Sequence, residues 1–86
     1  MANHPSALKR ARQNEKRRLR NKAVRTRMRN AIKAVRQAME TKDSQAAQEA
    51  LGQAMPVIDQ AAAKGVIHRN NASRRISRLA RQVHSL

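Results

Sequence analysis

The sequence predicts an all-α fold: a three-helix bundle with a long, highly basic first helix extending from it. Three observations predict this. Only two Gly and two Pro occur in 86 residues, too little turn chemistry for a set of β-hairpins. Ala, Arg, Gln, Lys, Leu and Met dominate, and all are good helix formers. Apolar residues recur at steps of three and four in three stretches, separated by two turn signals.

The first helix is expected from Ala7 to about Thr41, with Ser6 as its N-cap after Pro5. At ~1.5 Å per residue it makes a rod on the order of 50 Å long. Its second half carries an apolar stripe of Val24, Met28, Ala31, Ile32, Val35, Ala38 and Met39. Its first half offers only Leu8, Ala11 and Leu19. The chain therefore reads as a single domain over 1–86, with 24–86 forming the bundle. Residues 1–23 form a basic extension expected to be disordered in free protein and rigid on a polyanion.

A turn over Thr41–Ser44 leads to the second helix, capped by Asp43 or Ser44, where an acid suits the helix dipole. Its stripe is Ala47, Ala50, Leu51, Ala54, Met55, Ile58, Ala61 and Ala62. Pro56 removes one backbone hydrogen bond and presses on the Gly52 carbonyl, so a kinked single helix is expected. Met28, Met39 and Met55 are expected to fill irregular gaps in the core. Gly65 should end the helix in the left-handed region. The third helix starts between His68 and Asn71 and runs to about His84, with a stripe of Ala72, Ile76, Leu79, Ala80 and Val83. So small a core should be only marginally stable alone.

Charge is the strongest functional signal. The chain holds 20 Lys and Arg against five acids, a net charge of +15. Thirteen of the basic residues lie between Lys9 and Arg36, where Glu15 is the only acid. A solvated helix face would interleave Glu with Lys. This one places Lys9, Arg10, Arg12, Lys16, Arg17, Arg18, Arg20, Lys22, Arg25, Arg27, Arg29, Lys33 and Arg36 at nearly every azimuth. Charge all round a rod implies anions on more than one side of it. The preference for Arg suits forked contacts to phosphate oxygens. Residues 37–64 are near neutral, and 65–86 add five basic residues and no acid. There Arg74, Arg75 and Arg78 lie away from the apolar stripe, behind polar donors at a helix start. Asn70 and Asn71 could simply cap that helix.

Several classes are excluded. Phe, Tyr and Trp are absent, which removes the side chains on which many RNA-binding sheets and OB barrels stack bases. His4, His68 and His84 have no ligand spacing, so no metal is expected. No nucleophile–base constellation or phosphate loop is visible, so neither an enzyme nor a cofactor or small-molecule substrate is expected. Glu40 and Asp43 read as turn residues. No apolar run reaches the ~18 residues of a membrane span, and a membrane-surface helix would need an apolar face that residues 7–23 lack. The N-terminus has no secretory h-region. Its Arg-rich start also has the composition of a mitochondrial transit peptide, but reads better as mature binding surface. The absence of cysteine rules out disulfides and suits a reducing cytosol. What remains is recognition of a folded nucleic acid by shape and backbone. An architectural packaging protein for DNA is the alternative, although it shows no obvious apolar wedge. An adaptor for acidic proteins shares the charge.

Two segments carry a resemblance. MANHPSALKRARQNEKRRLRNKA at residues 1–23 and KGVIHRNNASRRISRLARQ at 64–82 closely resemble the bacterial small-subunit ribosomal protein S20 family, and the match runs the whole length. The resemblance implies a three-helix bundle with a long first helix. It implies direct binding to 16S ribosomal RNA early in assembly, in the cytoplasmic ribosome, with few protein contacts. The family contacts the 5′ domain and the penultimate stem near the 3′ end, which would account for an arm charged on all sides. Carried over by position, the RNA-facing residues would be the basic positions from Lys9 through Arg29, with His68, Arg69, Asn70, Asn71, Ser73, Arg74, Arg75 and Arg78.

Overall fold

In a computed structural model the chain is described over residues 5–86; residues 1–4, His4 among them, lie outside the described residues. Three helices follow in order: α1 Pro5–Glu40, α2 Ser44–Ala63 and α3 Arg69–His84. No strand occurs among the described residues. The molecule measures 60 × 22 × 15 Å with a radius of gyration of 17.4 Å. A compact chain of this length would have about 12 Å. The excess is α1, whose first buried residue, Met28, lies about 35 Å along the helix axis from Pro5.

The core is built on a 3.5-residue repeat. On α2 the buried positions are Ala47, Leu51, Ala54, Ile58 and Ala61, at steps of four and three. Met28, Ile32 and Val35 answer them from α1, and Ala72, Leu79 and Val83 from α3. This spacing keeps one seam of each helix turned inward. Ile58, Val35 and Val83, one from each helix, are the largest fully buried side chains. Ala47, Ala54 and Ala61, each fully buried, form one side of the α2 seam, and their small size allows close packing. Val24, Ala31, Ala38 and Met39 pack against this core as expected. One expected core position differs. Met55 is 38 % exposed and fills no gap, and Val57 is the half-buried residue instead. On a 3.5-residue repeat position 55 falls just outside the seam. Ile76 and Ala80 are half-buried at its rim.

Local chemistry sets the helix ends. Helix α1 already includes Pro5, so Ser6 lies in its first turn rather than capping it. Proline suits a first turn, where its missing N–H is no loss. The helix then runs 36 residues without a break. At its other end the Lys42 N–H donates to the Met39 carbonyl at 3.0 Å. The Thr41 hydroxyl donates to the Ala38 carbonyl at 2.8 Å. Lys42 adopts φ 56°, a left-handed conformation, with a side chain to accommodate. Asp43 caps α2 by accepting the Ala46 N–H at 3.1 Å. Pro56 sits within α2 on its exposed face, as does Gly52 one turn earlier, where water can reach the carbonyl left without its N–H. A Schellman motif ends α2: the Gly65 N–H donates to the Ala62 carbonyl and the Val66 N–H to the Ala61 carbonyl, both at 2.9 Å. Gly65 has the φ of 74° that this motif requires.

The strained position at the α1–α2 turn yields a test. Lys42→Gly should stabilise the fold by about 0.5–1 kcal/mol, because glycine adopts positive φ without a Cβ clash. That corresponds to a rise of several degrees in the melting temperature followed by circular dichroism. An unchanged or lower midpoint would show that the turn carries no such strain.

Candidate nucleic-acid interface

The basic arm is an exposed cylinder. From Pro5 to Arg20 every side chain is exposed, including Leu8 and Leu19 at 48 % and 53 %. The predicted arm residues Lys9, Arg10, Arg12, Lys16, Arg17, Arg18, Arg20, Lys22, Arg25, Arg27 and Arg29 all face solvent. Helical geometry distributes them around the rod because no apolar seam competes for an azimuth before Val24. One cation is engaged internally. The Arg18 Nη2 donates to Glu15 Oε1 at 2.7 Å and its Nε to Oε2 at 3.1 Å, a forked pair. The hydrogen bonds from Arg18, and then its charge, lower the Glu15 pKa, and the same bonds to Glu15, and then the carboxylate's charge, raise that of Arg18. It is the single salt bridge among the described residues. No other Lys or Arg there has an acid within ion-pair distance.

The second predicted set lies at the start of α3. His68 caps the helix: its Nδ1 accepts the Asn70 N–H at 3.1 Å. A neutral His68 then has Nε2–H left as a donor. Neither Asn70 nor Asn71 is the cap. Asn71 is half-buried, and its Oδ1 accepts the Arg75 Nε–H at 2.6 Å. That bond orients the guanidinium and leaves its two terminal amino groups uncommitted. Arg69, Ser73, Arg74 and Arg78 are exposed.

Tertiary packing adds two cations to the expected RNA-facing residues. Arg36 of α1 lines a cleft of about 330 Å³ with Arg74, Arg75 and Arg78 of α3, over a floor that includes Ile32 and Leu79. Arg36 stands one turn after the buried Ile32, a register that places it at the rim of the seam. Lys64, the residue before Gly65, lies beside Arg17, Arg20 and Asn21 in a second concavity. No local motif identifies either residue, since each joins its cluster from another helix or turn. The described residues hold no helix long and apolar enough to cross a membrane, and no group of three His, Cys, Asp or Glu that could hold a metal ion.

This arrangement can bind phosphates from several directions and offers no reacting group. Comparison with known proteins agrees in extent with the whole-length sequence pattern. Curated relatives named small ribosomal subunit protein bS20 align over all 86 residues of this chain. The one from Geotalea uraniireducens is 59% identical over 99% of its own length. That of Geobacter metallireducens is 55% identical over 99%, and that of Syntrophobacter fumaroxidans 52% identical over 100%. The sequence model of the family described as ribosomal protein S20 matches residues 2–84, and with full-length identities above 50% the chain belongs to that family.

Proposed function

We propose that this chain, by its family a non-enzymatic structural component of the small ribosomal subunit, binds 16S ribosomal RNA directly through phosphate contacts and bridges the 5′ domain and the 3′ penultimate stem during assembly. Its place is the cytoplasmic ribosome, with few protein contacts. The observation that carries the reading is the arm. Sixteen successive residues from Pro5 to Arg20 are exposed on every side, and one internal ion pair is the only neutralisation. Such a rod is satisfied when it lies between RNA segments. The residues proposed to face RNA are the basic positions from Lys9 through Arg29 and the α3 set His68, Arg69, Asn70, Asn71, Ser73, Arg74, Arg75 and Arg78. Bundle packing fixes the arm's angle, and α3 supplies a second anchor. The alternative, an architectural packaging protein, shares the charge but would not distinguish one folded RNA from another.

With about ten phosphates neutralised, affinity should fall by several decades between low and moderate salt. The experiment is a salt series comparing a 5′-domain 16S transcript with tRNA and duplex DNA. The 16S complex should survive at salt where the other two are lost. If all three fall along one slope, charge alone accounts for binding and the packaging reading replaces this one.

The described part of the arm, residues 5–23, is proposed to fray in free protein and to become rigid on RNA, because like charges along the rod repel and Leu8 and Leu19 are exposed. Amide exchange over residues 5–20 should slow by at least tenfold on binding 16S RNA. Equal protection with and without RNA would mean that the helix is intrinsically stable.

Glu15 opposes binding by engaging Arg18. Glu15→Gln should therefore release that cation, strengthen binding to the 16S transcript and steepen the salt dependence. The pH sense follows from the lowered Glu15 pKa: the pair's local helix support is present above the ordinary Glu range and lost as pH falls through the folded pKa. Weaker binding by Glu15→Gln would show that the pair instead orients Arg18 for RNA.

A further inference from the structure

Helices α1 and α3 each pack mainly on α2 and touch one another only lightly. The cleft between them is where the bundle is least closed. It brings together the guanidinium groups of Arg36 from one helix and Arg74, Arg75 and Arg78 from the other. No acid lines it. The single ion pair among the described residues, Glu15–Arg18, belongs to the arm. Four like charges around one concavity repel across the α1–α3 boundary, and among the described residues no acid lies within ion-pair distance of them. Arg75 is held by Asn71 at 2.6 Å with its forked face unused. The apolar floor of Ile32 and Leu79 lowers the local dielectric, which strengthens attraction for an anion above it.

We propose that this cleft is a phosphodiester-binding groove shared between two helices, and that a backbone phosphate seated in it ties α3 to the arm-bearing α1. The inference deepens the RNA-binding reading and rests on it. It adds Arg36 to the site and assigns the groove a second effect. An anion there replaces repulsion by a bridge, so occupancy stabilises the bundle and sets α3 relative to the arm. The folded bundle is then partly a product of its own ligand. Arg36 acts here as a direct phosphate ligand, whereas Asn71 acts as a positioning residue through Arg75.

The test uses the full chain and inorganic pyrophosphate as probe, with melting followed by circular dichroism. Sodium pyrophosphate and sodium chloride are compared at equal ionic strength. At about ten times its Kd, pyrophosphate should raise the wild-type midpoint by roughly 5 °C over chloride. Arg36→Gln should lose at least half of that increment, while melting in low-salt chloride at or above the wild-type temperature because one repelling charge is gone. Lys33→Gln removes the same charge from the same helix outside the groove and should keep the increment. Equal increments in Arg36→Gln and Lys33→Gln would overturn the groove, since screening would then explain the effect. The 16S salt series separates the two levels. An Arg36-dependent increment without 16S preference upholds the groove as an anion site and sinks the RNA reading. An Arg36-independent increment with 16S preference intact sinks the groove alone.

Discussion

The structure depends on one narrow apolar seam that joins three helices of unequal character. Val35, Ile58 and Val83, one per helix, lie at its fully buried centre. Around them the core is small, and four of its eleven buried residues are alanine. Alanine brings little transfer free energy, since it removes little apolar area from water. What it contributes is close approach, which allows the side chains of neighbouring helices to reach across α2. The near-neutral α2 can occupy the centre because it carries none of the charge that α1 and α3 present to solvent. A more charged α2 would leave cations facing one another across the bundle with no acid between them.

That seam holds only the rear of α1. Ahead of Met28 the helix has no tertiary partner except near Val24 and Asn21, which are half-buried. Two conflicting demands on one chain explain the division. Burial needs an apolar face, whereas contact with phosphate on every side needs cations at every azimuth. A single helix satisfies both only by doing them in succession along its length. One helix, Pro5–Glu40, carries both the seam residue Val35 and the arm cations Lys9 and Arg10. The Arg cleft between α1 and α3 lies where the arm-bearing helix joins the bundle.

Much of this was legible in the residues. The periodic stripes located all three helices, and the glycine end at Gly65 followed from known terminal chemistry, while the cap, open between Asp43 and Ser44, is Asp43. The misses have separate physical causes. Ser6 was read as a cap because Ser favours that position, but Pro5 already tolerates helical geometry and the helix simply begins earlier. His68 was overlooked as a cap because imidazole nitrogen rarely plays the role that a hydroxyl or carboxylate usually does. Met55 was assigned to the core by a 3.6-residue pattern, whereas packing follows 3.5 residues per turn and leaves it outside. The left-handed Lys42 carries no sequence mark, since glycine or asparagine would be the usual sign.

The sequence by itself determined the helical class, the order of basic, neutral and basic segments, the exposed arm and the family. The first three are properties of composition and local periodicity and the family one of matching segments, none of which needs knowledge of what packs on what. Only the tertiary structure decided that Arg36 stands with Arg74, Arg75 and Arg78, and Lys64 with Arg17 and Arg20. The reason is physical. Which cations become neighbours depends on how each helix is rotated about its own axis, and that rotation is set by close packing of Ala47, Ala54 and Ala61 against the facing seams rather than by the charges themselves.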